Sequence, residues 1–276
     1  MDKIINGTEI KNKKIEIFKN EINLIPDKLK LAVVQVGNDA ASEVYIKNKR
    51  LLCEEVGIEF LHLKYDSTTE EELISVINDL NSDNTITGIL VQLPLPDGID
   101  SNKVVDSIDP LKDVDGLSVL NTGALFSSKE GLYPCTALGV IEALDSKNID
   151  LEGSNVVIVG RSKLVGLPLV SLLLRRNATV TICHSKTKNL KDITLKADVL
   201  IVAVGKKHLI TEEYVKEGAT VIDVGITRED KLYGDCDFDS IVNKCKYITP
   251  VPGGIGPLTI TMLIGNIIKA YNLQKK

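Results

Sequence analysis

The sequence predicts an α/β protein of two α/β domains, the second of which is a Rossmann-like, doubly wound sheet. The chain has 276 residues, more than one domain of ordinary size needs. Short apolar strands alternate with helical segments, an order that produces parallel βαβ units. The segment 156–166 also passes from a strand into a helix through a turn bounded by two glycines, as nucleotide-binding sheets do.

The first series of elements lies between residues 31 and 93. Apolar runs predict the strands, and capping residues or glycine mark the helix ends. The predicted elements are a strand at 31–36, a helix from its N-cap Ser42 to Gly57, a strand at 58–63, a helix opened by a capping box at Thr69 and Glu72, and a strand at 87–93. Pro94 and Pro96 end this series, because proline cannot donate to a sheet ladder.

A polar, aspartate-rich stretch at 97–116 precedes a predicted helix at 136–144 and a second series of elements. Its strands are predicted at 156–159, 179–183, 199–204 and 220–224, and its helices at 166–176, 189–196, 211–216 and 258–273. Parallel strands of this kind bind their ligand at their carboxyl ends. A cis peptide bond before Pro94 or Pro252 would suit a tight site, although residue identity does not decide it.

Composition disfavours several classes of function. The net charge of −5 argues against a nucleic-acid binder, and the longest apolar runs are too short to cross a bilayer. The N-terminus lacks the apolar core of a signal peptide. The five cysteines show neither C-x-x-C nor zinc spacing, which fits reduced thiols. We therefore expect a cytoplasmic protein without a metal site or a membrane partner.

The turn from Gly160 to Gly166 is a candidate phosphate cradle. Glycine permits positive φ and lets backbone N–H groups approach an anion at a helix N-terminus. Arg161, Ser162 and Lys163 lie between the two glycines. The spacing is G-x-x-x-x-x-G rather than G-x-G-x-x-G, so for the turn alone a plain strand–turn–helix is an equal alternative.

The end of the next strand favours NADP over NAD. Folds that bind NAD place a carboxylate there to hold the ribose hydroxyls, but residues 183–186 of this chain are Cys-His-Ser-Lys. A carboxylate would repel the 2′-phosphate of NADP, whereas this serine, this lysine and Arg161 would attract it. Val204-Gly205 and Val224-Gly225 end the following strands, where glycine lets the backbone approach a ligand.

Tyr45 and Lys49 form a Tyr-x-x-x-Lys pair on one face of the first predicted helix. A lysine can accept a proton at neutral pH only when burial or a cationic neighbour lowers its pKa, and a tyrosine one turn away can donate a hydrogen bond. An isolated pair of this kind is more often an amphipathic helix with two surface side chains.

Gln92 and Asp115 are two further candidates. Gln92 ends a strand, and strand ends hold the ligands of α/β proteins. A buried carboxylate at Asp115 could accept hydrogen bonds from an N–H/NH₂ pair on a heterocycle. The alternative for Asp115 is a turn aspartate that satisfies local backbone groups.

Six segments together resemble the bifunctional methylenetetrahydrofolate dehydrogenase/cyclohydrolase family. They cover almost the whole chain in the family's order, which makes the set far more specific than any one motif. One departure is Ala137, where the family often has proline, and alanine there costs little. The six segments are Tyr45–Lys49, VQLPLP at 91–96, KDVDG at 112–116, PCT at 134–136, VGRS at 159–162 with Val165-Gly166, and PVPGGIGP at 250–257.

The resemblance implies two reactions. NADP⁺ would take a hydride from 5,10-methylenetetrahydrofolate, and water would then open the resulting 5,10-methenyltetrahydrofolate to 10-formyltetrahydrofolate. The partners implied are tetrahydrofolate derivatives and a second copy of the chain, paired as a homodimer through the nucleotide domain. The implied folate-binding catalytic domain spans 1–120 with 257–276, and the implied NADP-binding domain spans 121–256.

The resemblance also implies roles for individual residues. Lys49 would be the main catalytic residue of the hydrolytic step, with Tyr45 beside the folate and Gln92 holding Lys49. Asp115 would grip the pterin. The implied substrate-binding residues are Tyr45, Gln92, Asp115, Gly256 and Thr259, and the implied cofactor-binding residues are Gly160, Arg161, Ser162, Gly166, Ser185, Val204, Gly205 and Ile226.

Three alternatives stay open. Another two-domain NADP oxidoreductase, such as a shikimate-dehydrogenase-like protein, would share the architecture but lack Gln92 before Pro94 and the PGGIGP segment. A non-catalytic nucleotide sensor would have lost Lys49. A monofunctional dehydrogenase would keep these residues without the hydrolytic step.

Overall fold

The computed structural model describes residues 3–276, which form two compact units. The Lys49 unit comprises residues 13–135 and 260–276, and the glycine-turn unit comprises residues 3–12 and 136–259. These limits differ from the predicted domain limits at 3–12, at 121–135 and at 257–259. Residues 3–12 join the glycine-turn unit because Ile5 N donates to Ile248 O and Ile248 N donates to Lys3 O. Residues 121–135 join the Lys49 unit, where the side-chain amide of Asn121 donates to the Asp113 carboxylate.

A three-stranded parallel sheet in the order β2-β1-β3 organises the Lys49 unit. A parallel bridge between Ile89 and Asp113 places the KDVDG segment beside β3. The strands are β1 (Lys30–Val36), β2 (Glu59–Tyr65) and β3 (Gly88–Val91), and the helices are α1 (Gly7–Asn23), whose first residues belong to the other unit, α2 (Ala40–Val56), α3 (Glu70–Ser82), α4 (Ser101–Asp106) and α5 (Val119–Phe126).

The helix ends of this unit follow the predicted signals except at one cap. Thr69 and Glu72 form the predicted capping box of α3, and Gly57 ends α2 at φ 84°. The N-cap of α2 is Asp39 and not Ser42, so that prediction is wrong. The Asp39 carboxylate accepts from Ser42 N at 2.7 Å, so the helix begins at Ala40, three residues earlier than predicted.

A five-stranded parallel sheet in the order β10-β7-β6-β4-β5 forms the glycine-turn unit. The chain reverses direction across the sheet between β4 and β6, which is the switch point where doubly wound sheets bind ligands. The sheet strands are β4 (Asn155–Val159), β5 (Thr179–Cys183), β6 (Val199–Val202), β7 (Thr220–Asp223) and β10 (Tyr247–Ile248), and β8 (Thr227–Arg228) pairs with β9 (Leu232–Tyr233) in a hairpin.

The helices of the second half are α6 (Cys135–Asp145), α7 (Gly166–Leu174), α8 (Leu190–Thr194), α9 (Phe238–Ile241) and α10 (Ile255–Gln274). The helix predicted at 211–216 is wrong, because only a 3₁₀ turn, Glu212–Tyr214, forms there. The peptide bonds before Pro94 and Pro252 are both cis. The predicted α/β class is confirmed, and among residues 3–276 no helix has the length and apolar character needed to cross a membrane.

Candidate functional site

Lys49 and Gln92 meet at the carboxyl end of the Lys49-unit sheet. The Lys49 amine donates to Gln92 Oε1 at 3.0 Å. Gln92 follows β3, where its backbone N–H donates to Val34 O at 2.8 Å and its side-chain amide donates to Leu93 O at 2.8 Å. The amide nitrogen is thus engaged by the backbone, so the amide oxygen faces the amine.

Burial dominates the electrostatics of this site. It lowers the pKa of the Lys49 amine, while the nearby Asp115 and Cys135 act in the opposite direction. Burial also raises the pKa of the Asp115 carboxyl, with Lys49 opposing that shift and Asp113 adding to it. An amine and a carboxyl therefore share one desolvated site, and each opposes the effect of burial on the other.

The loop that carries Asp115 is held by its neighbours. Asp113 accepts from Gly116 N at 3.0 Å and from Ser118 N at 2.9 Å. The buried Lys112 amine donates to Leu80 O, Asn81 O and Asp83 O within 3.1 Å. Because Lys112 and Asp113 are used by the scaffold, Asp115 is the charged residue of this segment that faces Lys49.

Tyr45 lies one helical turn before Lys49 in α2, as the spacing predicts. Its side chain is 39% exposed, so the ring is open to a ligand. The structure thus brings Lys49 and Gln92 into contact and Asp115 into electrostatic range, with Tyr45 on the same helix.

Two residues of this site were not predicted. The buried Cys135 thiol donates to Val114 O at 3.4 Å and lies close enough to Asp115 and Lys49 to affect the pKa of both. The buried Asn266 amide donates to Val114 O at 2.8 Å and to Tyr133 O at 2.9 Å, which fixes the backbone on both sides of the site. An asparagine inside the apolar run LTITMLIGNII of α10 is the sequence signal that could have revealed this anchor.

The turn after β4 has the close packing of a phosphate cradle. Gly160 has φ 124°, and a Cβ there would lie 2.2 Å from Ala203 O. A Cβ on Gly166 would lie 2.0 Å from Gly160 O. Ser162 Oγ accepts from Val165 N at 3.1 Å, and the Arg161 side chain is exposed. Both glycines are sterically required, and the exposed Arg161 side chain can meet an anion at this turn.

The end of β5 lies beside this turn. Gly160 N donates to Cys183 O at 2.9 Å, and a tight turn follows in which Thr187 N donates to His184 O at 2.8 Å. This turn exposes Ser185 and Lys186. The structure therefore places the residues predicted to recognise a 2′-phosphate next to the candidate cradle, within one unit.

The ends of β6 and β7 complete the same edge of the glycine-turn sheet. Ala203 N donates to Val159 O and Val224 N donates to Val202 O, both at 2.8 Å, so the loops leave the sheet side by side. Val204 and Ile226 are each 40% exposed, and Gly205 has φ 65°. An apolar edge beside the cradle suits the ring of a dinucleotide.

Gly256 and Thr259 lie in the first turns of α10. A Cβ on Gly256 would meet open space. Thr259 Oγ1 lies 3.3 Å from Thr136 Oγ1 and 3.4 Å from Ile255 O.

Among residues 3–276, no group of three or more His, Cys, Asp or Glu side chains is arranged to hold a metal ion.

Two family models match this chain, one over each half. The catalytic domain of tetrahydrofolate dehydrogenase/cyclohydrolase matches residues 5–115, and the NAD(P)-binding domain of the same family matches residues 134–275. A bifunctional protein FolD from Agathobacter rectalis is 56% identical over 243 residues, which are 87% of each chain.

Two solved structures resemble the whole chain. The bifunctional enzyme FolD, methylenetetrahydrofolate dehydrogenase/cyclohydrolase, from Campylobacter jejuni is 44% identical with a TM-score of 0.96, over 98% of this chain and 99% of that one. The N5,N10-methylenetetrahydrofolate dehydrogenase-cyclohydrolase of Trypanosoma brucei, complexed with NADP cofactor and an inhibitor, is 32% identical with a TM-score of 0.94, over 99% and 98% of the two chains.

A more distant likeness concerns the alternative of a shikimate-dehydrogenase-like protein. Shikimate 5-dehydrogenase from Thermus thermophilus matches 89% of this chain and 99% of its own with a TM-score of 0.55, at 14% identity. At that identity the likeness shows a shared fold alone.

Proposed function

This chain belongs to the tetrahydrofolate dehydrogenase/cyclohydrolase family, and we propose how its own residues divide the family's two reactions. The chain is a bifunctional enzyme that oxidises 5,10-methylenetetrahydrofolate to 5,10-methenyltetrahydrofolate with NADP⁺ and hydrolyses the product to 10-formyltetrahydrofolate. The observation that carries the proposed division is the hydrogen bond from the Lys49 amine to Gln92 in a desolvated site.

The hydrolytic step depends on proton transfer, which we assign to Lys49. Water adds to the bridging carbon of the methenyl cation and must lose a proton as it does so. The C–N5 bond then breaks as the added hydroxyl loses its proton to become the formyl oxygen, and N5 must gain a proton, so the whole step releases one proton to solvent. A neutral Lys49 amine can accept the first proton and return one to N5, and burial shifts its pKa downward, the direction that favours the neutral form.

Gln92 and Asp115 support this role in different ways. Gln92 holds the amine by a neutral acceptor, which directs it without restoring its charge. Asp115 is half-buried next to that amine, where a carboxylate can accept two hydrogen bonds from the pterin N–H/NH₂ edge. Tyr45 packs beside the folate, which the exposure of its ring supports.

The oxidation needs alignment rather than acid–base catalysis, because its product is already a delocalised cation. NADP⁺ supplies the hydride acceptor for this step. We propose that the Lys49 unit binds folate and the glycine-turn unit binds NADP, with Gly256 and Thr259 near the reacting rings. Lys49 should therefore matter less for oxidation than for hydrolysis.

The glycine-turn unit fits NADP at three places. The Gly160–Gly166 turn offers a backbone cradle at the start of α7. Arg161 and Ser185 are exposed beside it, where they can hold the 2′-phosphate. The ends of β6 and β7 offer Val204, Gly205 and Ile226 as an apolar edge.

We further propose that the enzyme is a cytoplasmic homodimer that binds neither nucleic acid nor membrane. The five cysteines are all free and buried, which suits a reducing compartment. The net charge of −5 does not favour a polyanion. Leu164 and Leu174, beside and within α7, are 46% and 55% exposed, which supports a covered face. Light scattering on the purified chain should give twice the monomer mass.

The deciding experiment compares Lys49→Met with Lys47→Met, a change of an exposed lysine on the same helix. Lys49→Met should hydrolyse methenyltetrahydrofolate about 10²–10⁴-fold more slowly than wild type, measured as loss of its near-ultraviolet absorbance. It should still form NADPH from methylenetetrahydrofolate and NADP⁺. Lys47→Met should keep both activities. Hydrolysis by Lys49→Met at the wild-type rate would remove Lys49 from the mechanism.

A further inference from the structure

A buried aspartate in the glycine-turn unit holds the loop that follows β6. Asp235 Oδ2 accepts from Val204 N at 2.6 Å and from Gly205 N at 3.1 Å, and Asp235 Oδ1 accepts from Lys206 N at 2.6 Å. Three consecutive backbone N–H groups therefore converge on one carboxylate. Such a row of donors is the arrangement that binds anions in turns, and here the anion is part of the chain.

The carboxylate of Asp235 is fully enclosed. The residue has 0% exposure, and a Cβ on Gly225 would lie 1.9 Å from Asp235 Cγ. Position 225, just after β7, therefore requires glycine, because a larger side chain would overlap this carboxylate. A buried carboxylate is costly unless its oxygens are hydrogen-bonded, and the three N–H groups meet that requirement.

A second aspartate holds Asp235 from behind. Asp223 Oδ1 accepts from Asp235 N at 3.0 Å, and Asp223 Oδ2 accepts from Cys236 N at 2.9 Å. Asp223 N in turn donates to Thr249 Oγ1 at 2.7 Å. The contacts join the carboxyl ends of β6, β7 and β10, and the last of these leads directly into the PVPGGIGP segment.

We propose that Asp235 is a positioning residue for the cofactor, which fixes the shape of the loop at Val204 and Gly205 before NADP arrives. This inference rests on the proposed function, which assigns that loop to NADP. A loop that is already ordered pays less conformational entropy on binding. Because the three N–H groups already donate to Asp235, they do not bind the cofactor phosphates, which we assign to the Gly160 turn. The loop contacts the cofactor through its shape and the Val204 side chain.

The test compares NADP⁺ binding by Asp235→Asn and by Asp237→Asn with the wild type, using titration calorimetry without folate. Asn at 235 keeps the size of the side chain but replaces one acceptor oxygen with a donor that faces an N–H group. Its Kd for NADP⁺ should rise about tenfold to a hundredfold. Asp237→Asn makes the same charge change two residues away, at a position whose side chain does not cap α9, and should bind NADP⁺ as the wild type does.

Two further measurements keep the inference falsifiable. The hydrolysis of methenyltetrahydrofolate needs no NADP⁺, so Asp235→Asn should retain it, which also shows that the chain is folded. In the wild type, amide hydrogen exchange over 203–206 should be slow without NADP⁺. Fast exchange there, or an unchanged Kd in Asp235→Asn, would overturn the positioning role. No NADP⁺ binding by the wild type would instead overturn the cofactor assignment, and the inference with it.

Discussion

The Lys49 amine is held by a neutral partner, because it donates to the side-chain oxygen of Gln92 at 3.0 Å. Lysines in proteins are usually paired with carboxylates, which stabilise the charged form and raise the pKa. An amide oxygen orients the amine equally well and does not raise its pKa in this way. Burial therefore lowers the pKa of Lys49, and the nearby Asp115 carboxyl is the main group that opposes this shift.

Gln92→Glu tests the interpretation that a neutral partner keeps the pKa of Lys49 low. A carboxylate in contact with the Lys49 amine should raise its pKa by about 1–3 units. The base form of Lys49 would then appear only at higher pH, so the rising limb of the pH profile for hydrolysis should move upward by a similar amount. The measurement is the initial rate of methenyltetrahydrofolate hydrolysis against pH, corrected for the buffer rate.

Gln92→Met serves as the control for that shift. Methionine is nearly the same size as glutamine but has no oxygen acceptor and no charge. The variant should hydrolyse more slowly, and the rising limb of its pH profile should stay in place or move to lower pH. An unshifted profile in Gln92→Glu would mean that the pKa of Lys49 does not govern the reaction.

Asp115→Asn should weaken the binding of both folate substrates. The amide keeps one acceptor oxygen and presents a donor where the pterin edge also presents donors. We expect KM for methylenetetrahydrofolate and for methenyltetrahydrofolate to rise about tenfold to a hundredfold. Steady-state kinetics of the two reactions measure this separately. Asp97→Asn, at an exposed position, should leave both values unchanged, and a rise confined to one reaction would contradict a shared pterin contact.

Local patterns were sufficient to predict most of the sheet strands and the position of Gln92. Apolar runs ending in glycine or proline predict buried parallel strands, and a polar residue at the end of such a strand is placed at the ligand edge. Both steps depend on neighbours within a few residues along the chain. The contact of Gln92 with Lys49 joins residues 43 apart, and it was implied by the family resemblance rather than by local patterns.

The features that were missed depend on contacts between distant residues. Asp223 lies in a predicted strand and Asp235 outside any predicted element, and only the folded sheet shows that they hold the ends of three strands. The pairing of Lys3 and Ile5 with Ile248 crosses nearly the whole chain. The polar helix α1 carries only a narrow apolar stripe that includes Ile15 and Phe18, which is too weak a period to predict it.

Ser185→Asp should reverse the cofactor preference. A carboxylate at the end of β5 would repel the 2′-phosphate of NADP and could accept the ribose hydroxyls of NAD. We expect kcat/KM for NADP⁺ to fall about tenfold to a hundredfold, and that for NAD⁺ to hold or rise. Ser185→Ala should lose affinity for NADP⁺ without gaining relative activity with NAD⁺. Equal losses with both cofactors in Ser185→Asp would place the 2′-phosphate elsewhere.

Asp223 should make the stability of the enzyme depend on pH in an unusual direction. Burial, with Asp235 adding to it, raises the pKa of this carboxyl from 3.8 to about 7. Between these two values the folded chain keeps the proton and the unfolded chain releases it. Stability from this group is therefore complete below about pH 4, falls as the pH rises, and has lost about 4 kcal/mol by pH 7.

Asp223→Asn removes the titrating group and should remove that slope, although the loss of one acceptor oxygen will lower stability at every pH. Denaturant unfolding of the wild type and the variant from pH 4 to pH 8 gives the difference between their unfolding free energies. The stability of the wild type minus that of the variant should fall by about 4 kcal/mol as the pH rises and level off above pH 7, because only the wild type then bears the cost of a buried charge. Asp239→Asn, at an exposed position, should follow the wild type. A difference between wild type and Asp223→Asn that stays constant over the whole range would show that Asp223 does not titrate between these values.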